Sequence, residues 1–221
     1  MTTAMNMALA RHNMIEQQIR PWDVLDQRVL ELIANLPRDA FVPKAYASLA
    51  YADINIPLEH GQVMMAPKVE ARMLQALDIH AGDTVLEIGS GSAYVTALLA
   101  RSGKHVHSVD IYPDFIESAR RKLAAHGIGN VHLETGDAAN GWDHSGPYDV
   151  IAVTGSIPVL PETFRQALRI GGRLFIVTGE APVMTARLIT RTGEQQWTDK
   201  ALFETVLPPL VNAPRPRRFV F

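Results

Sequence analysis

The stretch Val85-Leu86-Glu87-Ile88-Gly89-Ser90-Gly91-Ser92-Ala93-Tyr94 is an apolar run that breaks into a glycine and serine turn, then resumes as helix-spaced apolar residues up to Arg101. Glycines at 89 and 91 remove the Cβ atoms that keep a ligand off the backbone, and they permit a tight turn where the strand ends. In an open α/β sheet a cofactor lies at that point, where the strand order reverses. The dinucleotide fingerprint puts a third glycine three residues after Gly91, where this chain has Tyr94, so a nicotinamide dinucleotide is disfavoured.

On both sides of the turn the pattern is regular. It predicts a helix over 69–77, a strand over 84–88, a helix over 93–101, a strand over 106–110 and a helix over 113–126. Strands over 131–135 and 148–154, a helix over 161–168 and a strand over 172–178 follow. Such alternation makes βαβ units and an α/β fold with a mostly parallel central sheet and helices on both faces. The tail, over 181–190, 194–207 and 217–221, reads as antiparallel C-terminal strands that close the sheet. Upstream, Met14, Ile15, Ile19, Val29, Leu30, Ile33 and Leu36 fall at helical spacing with a break near Pro21-Trp22-Asp23, which predicts two helices. Residues 41–67, punctuated by Pro43, Pro57 and Pro67, predict an irregular ordered segment on the substrate side. The expected organisation is therefore N-terminal helices and a substrate-side loop over 1–67 and an α/β core over 68–221, in one compact unit.

Two further strand ends point the same way as the glycine turn. Asp110 closes the second predicted strand, where a carboxylate accepts two hydrogen bonds from a ribose diol, with Ile111 beside it. After the third strand, Gly136-Asp137-Ala138 offers an acceptor for an adenine amino group and a backbone donor next to it. Methyltransferases carry acid-x-Gly-x-Gly-x-Gly at the first turn, and this chain supplies Glu87, Gly89, Gly91 and then Ala93. Glu87, Gly89, Ser90, Gly91, Ser92, Asp110, Ile111, Asp137 and Ala138 thus read as binding residues for S-adenosyl-L-methionine on a Rossmann-like methyltransferase domain. Each has a plainer use as a packing turn or helix cap. Three of them in register with three successive strands favour the cofactor.

Composition narrows the rest. The chain has 221 residues, 47% of them hydrophobic, and a formal net charge of −2 without a single-sign block, so the basic footprint of a nucleic-acid binder is missing. No cysteine is present, which excludes disulfides, thiolate metal sites and a cysteine nucleophile. No apolar run approaches the roughly 20 residues that cross a bilayer. A cytoplasmic monomer with no membrane partner is expected. Eight histidines lack metal-ligand spacing, so no metal is expected.

An ordered series of motifs extends beyond the turn. It comprises Arg11-His-Asn-Met-Ile-Glu-Gln-Gln-Ile19, Asp26-Gln-Arg-Val-Leu30, Pro37-Arg-Asp-Ala-Phe-Val-Pro43, Tyr51-Ala-Asp53, Pro57-Leu58 and Gly61-Gln62. Gly136-Asp137, Gly141-Trp142, Pro147-Tyr-Asp-Val-Ile151, Val153-Thr154 and Gly171-Gly-Arg-Leu174 continue it. In this order they resemble the protein-L-isoaspartate (D-aspartate) O-methyltransferases over nearly the whole chain. The resemblance implies protein repair, in which the free carboxylate of an isoaspartyl protein or peptide is methylated so that it can cyclise to a succinimide. A carboxylate, with an ordinary pKa near about 4, attacks without a general base, so alignment carries the catalysis.

The family's loop reads Gly-Gln-Thr-Ile-Ser, and here it is Gly61-Gln62-Val63-Met64-Met65-Ala66-Pro67, without either hydroxyl. On the resemblance, Gln62, Val63 and Met65, with His60 just before them, are the candidates beside the acceptor. Asp110 also stands where the family usually has glutamate. Two other readings stay open: a diverged enzyme acting on another small acceptor through an adaptable methionine-lined pocket, and a non-catalytic cofactor-binding protein.

Overall fold

In the computed structural model, which describes residues 2–142 and 144–216, a seven-stranded sheet forms the middle of the molecule. The chain begins with α1 (Thr2–Met14), loosens into a π-helical turn over Ile15–Ile19 and a tight 3-10 turn over Arg20–Trp22, then reverses at Asp23, whose φ is +58°. Helix α2 (Gln27–Asn35) starts where the Asp26 side chain accepts from the Arg28 amide at 2.9 Å, and it buries Val29, Leu30 and Ile33. Its end before Pro37 follows from the bias of pre-proline residues away from helix, and Leu36 is extended. The predicted break at 21–23 lies where the chain turns.

The segment before the core is built of short 3-10 turns and a two-residue antiparallel pair, β1 (Ile56–Pro57) with β2 (Val63–Met64). Helix α3 (Pro67–Leu77) begins at its proline, which sets φ for a first turn and lacks only an amide that has no helical partner. Gln75 of α3 holds the turn between α1 and α2: its Oε1 accepts from the amides of Leu25 and Asp26 at 2.7 and 3.0 Å, and its Nε2 donates to the Asp23 carbonyl at 2.7 Å.

The core runs β3 (Thr84–Ile88), α4 (Tyr94–Ser102), β4 (His105–Asp110), α5 (Pro113–Ala125), β5 (Val131–Thr135) and β6 (Tyr148–Ile157). It ends with α6 (Glu162–Gln166), β7 (Leu168–Glu180), β8 (Val183–Gly193) and β9 (Gln196–Glu204). The sheet order is β5-β4-β3-β6-β7-β8-β9, with the first five strands parallel and β7–β8 and β8–β9 paired antiparallel. β3 therefore lies centrally, at the switch between β4 and β6. Alternate side chains of the sheet enter two apolar clusters. Val85, Val106, Val150 and Phe175 pack with α2 to α5, and Leu86, Ile88, Val109 and Ile151 pack with Phe164 of α6. One face is thickly covered by helices, the other by the five-residue α6 and its flanking loops.

Expected and observed elements differ mainly at their ends. α6 is shorter than the predicted 161–168, and β6 and β7 are longer than predicted. The expected strand over 217–221 lies outside the described residues.

Candidate functional site

Across the carboxyl ends of β3, β4 and β6 lies a solvent-open cavity of about 580 Å³. Three strand-end turns and the irregular stretch of β6 where its register with β7 shifts build its floor. Gly89 and Gly91 come from the β3 turn, Asp110 and Ile111 from β4, Asp137 and Ala138 from the turn after β5, and Thr154 and Gly155 from β6. Leu58, Gln62 and Val63 close one side from the N-terminal segment, and Leu210 and Val211 close another from the tail.

The glycines are needed where they stand. Gly89 has φ +97°, and a Cβ there would lie 2.4 Å from Thr154 Oγ1, which itself is within 2.9 Å of the Ile88 carbonyl and 2.6 Å of the Gly89 carbonyl. Gly91 has φ +47° and a Cβ there would crowd Leu58 at 3.3 Å. Ala93, where the methyltransferase pattern has its last glycine, keeps a left-handed φ of +67° while fully buried, a strain of about 1–2 kcal/mol for a residue with a Cβ.

Asp110 is 7% exposed, and its two carboxylate oxygens accept from the amides of Gly91 at 2.9 Å and Tyr112 at 3.0 Å. Burial pushes its carboxyl up and those two amides oppose the shift. An ionised carboxylate has roughly four acceptor positions, so capacity remains for a ligand diol. Asp137 accepts from the Ala139 amide at 3.0 Å and from Asn212 Nδ2 at 2.8 Å, which ties the tail to this turn.

Not every candidate faces the cavity. Glu87 does not line it: the side chain is completely buried beneath the turn, with its Oε2 accepting from Thr96 Oγ1 at 2.6 Å and from the Ser108 hydroxyl. The Ser90 hydroxyl pairs with that of Ser108 at 2.7 Å. Ser90 and Ser92 line a second, smaller and solvent-open cavity instead, which shares Val63, Gly89, Gly91 and Thr154 with the first. Ser92 Oγ accepts from the Tyr94 amide at 3.2 Å at the start of α4.

In the substrate-side loop Gln62 lines the first cavity, Val63 lines both, and Met65, 3% exposed, lines the second. His60 lines neither. It acts as a fastener, with Nε2 3.0 Å from both Asp114 carboxylate oxygens and the ring stacked on Tyr112 at 3.9 Å. Its position just before the loop gave no way to foresee this, because Asp114 is 54 residues away.

Sequence reading missed Leu58, Thr154, Glu70 and the pair Leu210–Val211 as wall residues. Thr154 had a signal, a polar residue ending the strand on the other side of the switch point. Leu210 had none, since its place is set by amide contact with Ser156 at 2.9 Å across an irregular tail.

The first cavity has Asp110 and Asp137 on its walls and no Lys, Arg or His. Such a site suits a cation carrying a diol and suits pyrophosphate poorly. S-adenosylmethionine, an adenosyl sulfonium, fits that donor set. Among the described residues, no group of three His, Cys, Asp or Glu is placed to hold a metal, and no helix is long and apolar enough to cross a membrane.

A family model described as Protein-L-isoaspartate(D-aspartate) O-methyltransferase (PCMT) matches residues 9–214. The Protein-L-isoaspartate O-methyltransferase 1 of Rhodopseudomonas palustris (strain HaA2) is 37% identical, over 97% of this chain and 91% of its own length. The Protein-L-isoaspartate O-methyltransferase of Magnetococcus marinus is 40% identical over 85% of this chain and 82% of its own. A solved protein-L-isoaspartate O-methyltransferase superposes with a TM-score of 0.77 at 27% identity, over 90% of this chain, which spans 65% of that one. A Plasmodium falciparum β-aspartate methyltransferase structure in complex with S-adenosyl-L-homocysteine shares the fold, with a TM-score of 0.76 at 19% identity over 92% of this chain and 97% of that one.

Proposed function

Because this chain belongs to the protein-L-isoaspartate(D-aspartate) O-methyltransferase family, we propose that it methylates the free carboxylate of isoaspartyl residues in proteins or peptides, as a repair enzyme that uses S-adenosyl-L-methionine. The observation that carries this reading is the cavity whose charged walls are Asp110 and Asp137 and whose side toward the N-terminal segment is Gln62 and Val63. Bound there, the cofactor would supply an electrophilic sulfonium methyl to the acceptor oxygen, with the C–S electron pair kept by the departing sulfur. Asp110 holds the ribose end, the glycine turn lets the ligand lie against the backbone, and Gln62 and Val63 confine the acceptor. No residue has to take a proton from the acceptor, since a carboxylate near neutral pH has already lost it. Positioning and exclusion of water are then the protein's contribution. Residues 1–67 form the acceptor side in this proposal, with the chain acting as a monomer.

Radiolabelled cofactor with an isoaspartyl peptide, beside the matched aspartyl peptide, tests the reading. Base-labile label on the isoaspartyl peptide alone is expected, and equal background on both peptides would contradict it.

A second reading is favoured by the loop itself. Val63 and Met65 bring no hydroxyl to the site, and Met64 and Met65 are each 3% exposed, which sets two thioethers beneath the loop. An enzyme shifted toward a less polar acceptor would show this. Under that reading Met65→Ser raises turnover of the isoaspartyl peptide by about tenfold, the effect of one charge-assisted hydrogen bond. Fast wild-type turnover that Met65→Ser leaves unchanged removes it.

A further inference from the structure

Glu70, on the first turns of α3, is 2% exposed and lines the second cavity. Its Oε2 takes the Arg38 guanidinium, and Arg38 is itself fully buried. The remaining engaged donors of Arg38 are committed elsewhere, Nε to the Ala50 carbonyl at 2.9 Å and Nη2 to the Met65 carbonyl at 2.7 Å. Glu70 Oε1 is left with no hydrogen-bond partner among the described residues. Burial pushes the Glu70 carboxyl up against the opposing pull of Arg38, and a buried carboxyl oxygen without a partner is costly, a cost that native proteins retain where a ligand completes the set. Around it the wall carries Val63, Met64, Met65 and Val95 on one side and the neutral Ser90, Ser92 and Thr154 on the other, so no cation lines this cavity to answer the Glu70 carboxyl.

The two cavities meet at Val63, Gly89, Gly91 and Thr154, and the second contains none of Asp110, Ile111, Asp137 and Ala138. An adenosyl group held over those four residues would leave the part of the cofactor beyond its sulfur beside the shared glycine turn, on the side of the second cavity. That part is a short amino-acid tail ending in an ammonium and a carboxylate. We propose that the free oxygen of Glu70 receives the α-ammonium group of the S-adenosylmethionine tail, with Arg38 fixing the carboxylate from behind. The inference rests on the cofactor reading above. An ammonium is a compact cation with three donors, the complement of a single open carboxylate oxygen, and the resulting bond is charge-assisted. Since Arg38 also holds the Met65 carbonyl, the same pair links tail recognition to the position of the substrate-side loop.

Calorimetric titration of the full chain decides it, with three ligands: S-adenosylhomocysteine, its analogue lacking only the α-amino group, and 5′-methylthioadenosine, which lacks the tail. Wild type is expected to lose about tenfold or more in affinity when the amino group is removed. Glu70→Gln is expected to weaken S-adenosylhomocysteine about as much while binding 5′-methylthioadenosine within about twofold of wild type. Equal wild-type affinity for S-adenosylhomocysteine and the desamino analogue overturns the proposal, and this arm needs no variant that has to fold. Equal losses by Glu70→Gln on tailed and tailless ligands overturn it too, since Glu70 would then only support the turn. Binding of 5′-methylthioadenosine without discrimination by the amino group leaves the cofactor reading standing and removes Glu70's role. Failure of wild type to bind any of the three removes both.

Discussion

Glu87 is sealed under the glycine turn, where burial pushes its carboxyl up to about 8 against the hydrogen bonds from Ser108 and Thr96. In the unfolded chain the same group titrates near 4.5. Below about pH 4.5 both states hold the proton and the contribution of Glu87 to stability is full. As pH rises toward 8 the unfolded chain releases a proton that the folded chain keeps, so that contribution is progressively lost. Glu87→Gln, neutral at every pH, lacks this dependence. The melting-temperature advantage of wild type over Glu87→Gln should therefore shrink between about pH 5 and pH 8, and a constant gap across that range would show that the carboxyl is ionised in place. The residue also marks a limit of sequence reading. Asp110 and Glu87 both sit at or near strand ends, but strand alternation sends Asp110 to the cavity and Glu87 to Thr96 and Ser108, a choice of face that the motif does not state.

At the scale of elements, the loop over 59–64 is held to the start of α5 by His60. Its φ of +59° is unusual for a residue with a side chain, and its ring is placed between the Tyr112 face and the Asp114 carboxylate. The His60 and Asp114 side chains are 37% and 55% exposed, so their pairing adds little to global stability. Asp114→Ala should leave the melting temperature nearly unchanged while amide exchange over 59–64 quickens. Unaltered exchange would mean that the stacking on Tyr112 suffices to hold the loop. Element identity was largely legible from periodicity, and β3 and β5 occupy their predicted spans because alternation and flanking turns agree there. β7 was not legible in full. The strand was expected to begin at Gly172, but it starts at Leu168 and passes Gly171 with a φ of +84° and a register shift against β6, and a Cβ on Gly172 would strike the Arg169 carbonyl at 2.8 Å. The glycines there bend a strand instead of ending one.

Across the whole molecule, one apolar cluster runs from Ile19 and Leu30 through Phe41 and Met65 to Leu74, Leu99 and Val106, so the N-terminal segment is packed onto the core that carries the glycine turn. Lys122 of α5 reinforces this by donating to the carbonyls of Phe41 and Ser92 at 2.9 and 3.0 Å. The tail closes the opposite side, with Ser156 bonded through its amide to the Pro208 carbonyl at 3.0 Å and through its hydroxyl to the Leu207 carbonyl at 2.9 Å. These long-range closures shape the cavity's rim, and they depend on where separate segments land, which periodicity does not encode. The floor, by contrast, follows from local turn chemistry at three successive strand ends. That floor binding an adenosyl sulfonium is the claim on which the rest stands. Titration of S-adenosylhomocysteine into wild type and Asp110→Ala examines it directly: saturable binding by wild type and a loss of about a hundredfold or more in Asp110→Ala are expected from two charge-assisted hydrogen bonds. Wild type that gives no binding heat, or an Asp110→Ala variant that binds as tightly as its parent, would contradict it.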